Sequence, residues 1–347
     1  MDHTSSSHRK AIRLLWLSIA LLIIGICFLI RIPYYAMQAG EAIDTGDVID
    51  VDGGYTEKAG DFFLTTVAMK QANVLDYLLA KVYSDLELVP TKEVLAEGEN
   101  DKQYEEQQKR NMLESQYSSV IAAFHFAKKP VKVTYKGIEV YGFTPEAKNN
   151  LKIGDIIQSI DGKSILTTDE LIKLLQTKKE GDQVVVGFLR GKKHMSQAAT
   201  LVALDTGNPS EKRIGLGFLP VDRFESLSSK PKVTFKTENI GGPSAGLMFA
   251  LEIVNQLSAS DLTKGRIIAG TGTISTTGEV GQIGGIEHKI VAAADKKASI
   301  FFVPKDIVEG DTNETVAKRI VKEHNYLMEV VPVASLQEAI AYLQQLK

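Results

Sequence analysis

The most pronounced apolar run is Leu14 to Ile30, LLWLSIALLIIGICFLI. Counted from Ala11 it has 20 residues broken only by Arg13, a length that crosses a bilayer core. The flank Arg31-Ile32-Pro33-Tyr34-Tyr35 is bulky and offers no small-residue cleavage site, unlike a signal peptide. The pattern predicts an uncleaved transmembrane helix over 11–31. Arg9, Lys10 and Arg13 precede the run, whereas Arg31 alone is followed by Glu41, Asp44, Asp47, Asp50 and Asp52. Basic residues stay on the cytoplasmic side, so 1–10 is expected to be a cytoplasmic tail. Everything after the helix is expected outside, tethered to the cell membrane.

Beyond the run the periodicity changes several times. DVIDVDGG and DFFLTTVAM, within 45–70, read as strands around a Gly-Gly turn. Residues 71–89 give mixed signals, and the charged stretch 91–111 reads as a solvated face or loop. MLESQYSSVIAAFHF (112–126) has helical spacing. Lys129-Pro130 marks a boundary. Then come strand-like VKVTY and GIEVYGF, a short helix at PEAKNN, and LKIGDIIQSIDGKSI, a strand ending in an Asp-Gly turn. TTDELIKLLQTKK is an amphipathic helix with a Thr or Asp N-cap. A hairpin, GDQVVVGFLRGKK, and a last strand, AATLVAL, complete a compact β-rich module. From 213 the strands IGLGFLP and KVTFKTE lead to Gly241-Gly242-Pro243. Ser244 then opens a helix to about Leu257 that has almost no polar face and should be buried on most sides.

Length and composition narrow the chemistry. The 347 residues suit two domains, and the net charge of −3 gives no pull toward nucleic acid. Cys27 is the single cysteine, so neither an intrachain disulfide nor a cysteine metal site is encoded. None of the six histidines sits in a metal-ligand pair such as HExxH, and no metal or cofactor is expected. Gly162-Lys163-Ser164 imitates a phosphate loop, but Gly154 lies eight residues before Gly162 where a Walker loop needs about five. With no other phosphate-binding loop, no ATP partner is expected.

Ser244 alone could be a helix cap. A glycine loop at a helix N-terminus can also expose a nucleophile and aim free N–H groups at a developing oxyanion. A serine nucleophile needs a base. In GGIEHKIVAAADKK, Ile286, Ile290 and Ala293 share a helix face, and Lys289 falls on it. Burial would draw the amine from about 10.4 toward roughly 7–8 and make it a usable base. By periodicity alone, the plainer reading is a lysine that snorkels from the helix edge.

LKIGDIIQSIDGKSI resembles the core of a PDZ domain. That resemblance implies peptide addition beside GIEVYGF, with a carboxylate loop at Tyr135, Lys136 and Gly137 and contacts along Ile138 and Val140. GGPSAG, LTKGRIIAGTGTI and GEVGQIGGIEHKIVAAADKKASIFFVPKD together resemble the proteolytic domain of Lon-type proteases. The resemblance implies a dyad of Ser244 and Lys289, with Thr271 touching the amine and the loop at Gly242, Pro243 and Ala245 shaping the oxyanion site. Two departures stand out. Gly241 replaces a frequent acid, and Asp306-Ile307 stand where an Asn often follows VPK. RIPYYAMQAGEAIDTGDVIDVDGG and MLESQYSSVIAAF are similar to the opening segments of membrane-anchored, ATPase-free Lon-like proteases with an inserted PDZ domain.

The fold class implied is α+β: a Lon-type protease domain over 36–128 and 207–347, interrupted by a PDZ domain over 129–206. The implied protein is an ATP-independent endopeptidase acting on secreted peptides or proteins, including signalling pheromones. Several Lon-like domains form rings, so a homo-oligomer is among the implied partners. Two rivals are a catalytically dead PDZ adaptor and a Ser-Lys hydrolase of signal-peptidase type.

Overall fold

The computed structural model describes residues 14–19, 21–22, 25–83, 85–96, 99–204, 213–238 and 240–346. The expected cytoplasmic tail, 1–10, lies outside them, as do 11–13, 20, 23 and 24 of the expected transmembrane helix. Residues 14–19, 21–22 and 25–29 are helical, and their apolar side chains are largely exposed. Among the described residues no helix is long and apolar enough to cross a membrane.

Two compact units form: Met1–Lys129 with Pro231–Lys347, and Pro130–Lys230. The second unit is thus an insertion in the chain of the first. Its C-terminal limit lies beyond the expected junction at 206/207. The strand Phe218–Ser229 runs antiparallel along Val131–Phe143, Phe218 opposite Phe143 and Ser229 opposite Val131. That long ladder ties 218–229 to the inserted unit rather than to the catalytic part.

The discontinuous unit is built on a six-stranded sheet of mixed parallel and antiparallel pairing. Its order is Glu329–Val333, Ile300–Pro304, Ile267–Gly270, Asp61–Asn73, Arg31–Asp44, Glu87–Pro90. The first four strands are mutually parallel, while Arg31–Asp44 pairs antiparallel with both neighbours. Arg31–Asp44 begins where the apolar run ends, and its register shifts at Gly40 and Glu41 opposite Thr66. DVIDVDGG and DFFLTTVAM do not pair with each other: Ile49–Val51 pairs with Val233–Phe235.

Strand alternation fixes the two faces of the sheet. Phe63, Ala269 and Phe301 pack with Ile286, Ile290 and Ala293 of the helix Ile286–Asp295, here the lysine helix. On the opposite face Phe302 meets Tyr342 edge-on, and Gly270 leaves room for Met248 of the helix Gly246–Leu257, the serine helix. Every serine-helix residue up to Gln256 is buried, as its sequence requires. The charged stretch continues into one long helix, Asp101–Phe126, started by a capping box of Asn100 and Gln103. Its charged first half is largely exposed, and its buried second half packs on the serine helix.

The inserted unit is a β-sheet of order Phe218–Ser229, Val131–Phe143, Ile156–Ile160, Gln183–Arg190, Lys193–Thr200. VKVTY and GIEVYGF form one continuous strand, Val131–Phe143. PEAKNN is a turn rather than a helix. The helix Thr168–Leu175 is capped by Thr167, whose hydroxyl accepts from Glu170 N. Ile138, Val140, Ile157, Ile160, Val186 and Leu201 form the fully buried centre.

Candidate active site

The serine and lysine helices lie on opposite faces of the sheet. Their functional side chains meet where the strand Ile267–Gly270 stops, opposite Leu64. Lys289 Nζ lies 3.0 Å from Ser244 Oγ. It also donates to Thr65 O at 2.9 Å, a carbonyl beyond the end of the parallel ladder. Lys289 is only 3% exposed, which excludes snorkelling. Burial alone pulls its pKa from the ordinary 10.5 down to about 8. No carboxylate among the described residues hydrogen-bonds the amine to restore its charge.

Ser244 is not a helix cap: the serine helix starts at Gly246 behind the N-cap Ala245, without a side-chain cap. Instead the backbone of Ser244 is clamped. Its carbonyl accepts from Gly272 N at 2.8 Å and Thr271 Oγ1 at 3.0 Å, while Leu247 N donates to Gly272 O. Thr271 therefore differs from expectation. Its hydroxyl holds the Ser244 carbonyl, and Thr65 O is the oxygen that holds the amine.

The long N-terminal helix grips the other side of the serine loop. Gln108 O accepts from Gly242 N at 2.9 Å, and Ser115 Oγ donates to Pro243 O at 2.9 Å. A Cβ on Gly241 would stand 3.0 Å from Gln108 Cβ, so the glycine that departs from the Lon pattern makes room for this helix. Gly242 has φ +86°, a conformation open to glycine. The expected oxyanion donors also shift. Gly242 N is spent on Gln108, and Pro243 has no N–H. Ser244 N and Ala245 N have no hydrogen-bond partner among the described residues. The second departure is also accounted for: Asp306 caps the helix Asn313–Glu323, accepting from the N–H groups of Glu314 and Thr315.

A groove of about 760 Å³ opens onto Ser244 and Lys289. Its walls carry Met37, Val67, Met69, Met112 and Ile240, with Glu41 on the rim. His288 is buried beside Lys289 but faces Glu87, 3.0 Å away. Among the described residues no cluster of three or more His, Cys, Asp or Glu side chains could hold a metal ion.

The expected peptide-binding residues of the inserted unit are not free to bind. Ile138 and Val140 are fully buried. Tyr135 packs on Phe224 with ring centroids 5.3 Å apart, and Lys136 O accepts from Gln158 Nε2. Gly137, at φ +141°, makes room for the Ile157 carbonyl. Their strand is paired on both sides, by Phe218–Ser229 and by Ile156–Ile160. The sheet edges are Phe218–Ser229 and Lys193–Thr200. The first runs beside the helix Thr168–Leu175, with Asp222 accepting from Thr168 N at 2.7 Å.

Comparison with known proteins agrees with both units. Residues 130–201 match the PDZ domain family, and 237–345 match the Lon protease (S16) C-terminal proteolytic domain. The Lon protease of Mesomycoplasma hyopneumoniae (strain 232) is 29% identical over 163 residues, 47% of this chain and 17% of that protein. The Lon protease of Metamycoplasma arthritidis (strain 158L3-1) is 30% identical over 153 residues, 44% of this chain and 17% of that protein. The solved PDZ domain of an SdrC-like protein from Listeria monocytogenes is 30% identical, covering 26% of this chain and 93% of that one, with a TM-score of 0.23. The chain thus spans under a fifth of the length of these curated relatives. The matched catalytic domain is of the serine-peptidase class. The chain thus carries a PDZ-type domain and a Lon-type proteolytic domain.

Proposed function

We propose that the protein is a membrane-anchored endopeptidase that hydrolyses flexible peptide segments outside the cytoplasm, with Ser244 as nucleophile and Lys289 as general base. The observation that carries this reading is the buried amine 3.0 Å from the serine oxygen. In the neutral amine one N–H stays on Thr65 O and the lone pair accepts the Ser244 O–H. Oγ attacks the peptide carbonyl carbon as its proton passes to Nζ. The oxyanion is taken by the N–H groups of Ser244 and Ala245. The ammonium returns the proton to the leaving nitrogen, and the peptide C–N bond breaks. Water, deprotonated by Lys289, then attacks the acyl carbonyl; the bond to Ser244 Oγ breaks and the ammonium returns the proton to Oγ, restoring the free enzyme.

The substrate class follows from the groove. The strand Asp61–Asn73 loses its parallel neighbour after Leu64, so Thr65 to Met69 offer an open edge to an extended peptide. Methionine and aliphatic walls favour apolar side chains near the scissile bond. No phosphate-binding loop in this sequence would drive unfolding, so secreted peptides, signalling pheromones included, and flexible tails suit the site. A ring of identical subunits is compatible with this function. Peptide capture by the PDZ unit would use the edge strand Phe218–Ser229.

The test uses purified full-length protein in detergent or nanodiscs with unstructured peptides, and cleavage followed by mass. Wild type cuts, whereas Ser244→Ala and Lys289→Ala lose at least about a thousandfold in kcat/KM. A wild type that binds peptides without cutting them would make it an adaptor. Equal cutting by both variants would remove the dyad.

A further inference from the structure

Past the strand Asp61–Asn73 the chain makes a short helix, Val74–Leu79, and a turn through Tyr83. The helix is firmly started: Asn73 and Asp76 form a capping box, and Lys70 pairs with Asp76 at 2.9 Å. Its outward side is nevertheless apolar. Tyr77, Leu78, Leu79, Val82 and Tyr83 are 41%, 51%, 36%, 76% and 60% exposed. Lys81 lays its ammonium over the Tyr77 ring, 4.7 Å from the centroid. Five large apolar or aromatic side chains are exposed within seven residues, a concentration that a soluble surface seldom carries without a partner.

The position of the patch names that partner. Val74 N donates to Ile30 O at 3.2 Å, and Ile30 N in turn donates to Ile26 O. Arg31 pairs with Asn73 and donates from Nη1 to Gln71 O. The segment is therefore fastened to the last residue of the apolar run. At about 1.5 Å per residue, a helix of 20 residues such as the run from Ala11 to Ile30 is expected to form would span about 30 Å, the thickness of the hydrocarbon core. Ile30 would then lie at the outer boundary of the bilayer, and Tyr77 to Tyr83 follow only three to nine residues after Val74. Tyrosines and a snorkelling lysine beside aliphatic side chains have the composition of an interfacial segment.

We propose that the 74–83 segment is a second membrane contact, inserting Leu78, Val82 and Tyr83 among the lipid headgroups. It would fix the orientation of the catalytic unit above the bilayer instead of leaving it to swing on a single helix. This inference rests on the membrane-anchored reading above.

The sequence supplies the control, because Trp16 is its single tryptophan and lies inside the apolar run. Full-length protein is reconstituted in vesicles of phosphatidylcholine and phosphatidylglycerol, with and without lipids brominated on the acyl chain. Trp16 in the wild type reports the anchor. Val82→Trp in a Trp16→Phe background reports the patch. The expected result is a blue-shifted Val82→Trp emission that loses much of its intensity with bromine high on the chain, and less with bromine near the methyl end. Adding Leu78→Glu and Tyr83→Glu should return that emission to its water-exposed wavelength. Val82→Trp emission that is water-like and unquenched while Trp16 is quenched would overturn the second contact and leave the anchor standing. Loss of quenching at Trp16 itself would overturn the anchor and this inference together.

Discussion

Replacing Lys289 by methionine should abolish activity and stabilise the fold. The side chain is 3% exposed, and its pKa falls from 10.5 to about 8 on burial. The unfolded chain therefore binds more protons than the folded one between those values, and stability rises with pH across that window. From the two pKa values the cost to the folded state is about 3 kcal/mol at pH 7 and about 1 kcal/mol at pH 10. Methionine fills a similar volume without the charge, but it leaves Thr65 O without its donor, which costs roughly 1–2 kcal/mol. The net gain at pH 7 is about 1–2 kcal/mol, a rise in Tm of roughly 2–8 °C for a unit of this size. Thermal unfolding of wild type and Lys289→Met at pH 7 and pH 10 makes the comparison. The gain should disappear by pH 10. A variant less stable than wild type at pH 7, or a gain unchanged at pH 10, would refute a desolvated amine.

Other outcomes follow from single contacts. Thr271→Val removes the hydroxyl from the Ser244 carbonyl, on the order of 1 kcal/mol, and should lower kcat about fivefold with KM little changed; steady-state kinetics reads the split. Gly241→Asp restores the acid common in Lon but drives a Cβ to within 3.0 Å of Gln108 Cβ, so activity and Tm should both fall. Glu252, buried in the serine helix and held by Gln256 and Thr45, has its pKa pushed up by burial from 4.5 to about 7. Its charging weakens the fold as pH rises through that window, so Glu252→Gln should raise Tm at pH 8 and change it little at pH 4.5. In the PDZ unit, a charge on the exposed Leu219 of the edge strand should weaken peptide binding, measured by fluorescence anisotropy, without unfolding it.

The site was legible where side chains carry it. A Gly-Gly-Pro break before a largely apolar helix drew notice to Ser244, and helical spacing put Lys289 on an apolar face, but it was the resemblance to Lon-type proteolytic domains that paired them. Thr65 was not legible, because its contribution is a backbone carbonyl, and its exposure depends on where a neighbouring strand stops. Among the expected oxyanion-loop residues, Gly242 was not legible as occupied, because its N–H is consumed by Gln108, a residue far away in sequence. The strand Arg31–Asp44 was hidden by its register shift at Gly40 and Glu41, which breaks the alternation a strand would show. In the PDZ unit the sequence revealed most of the strands, but not the length of Phe218–Ser229 nor which strands are neighbours. Whether a strand is an edge is set by long-range pairing, and Phe218–Ser229 takes the edge that GIEVYGF was expected to offer.

The central claim is that a neutral Lys289 activates Ser244. The pH dependence of kcat/KM on a flexible peptide tests it most directly, since it reports ionisations of the free enzyme. The account predicts a rise of about tenfold per pH unit below a single pKa near 8, then a plateau. A profile flat from pH 6 to 9, or one still rising past about pH 10 as an ordinary lysine would, would contradict it.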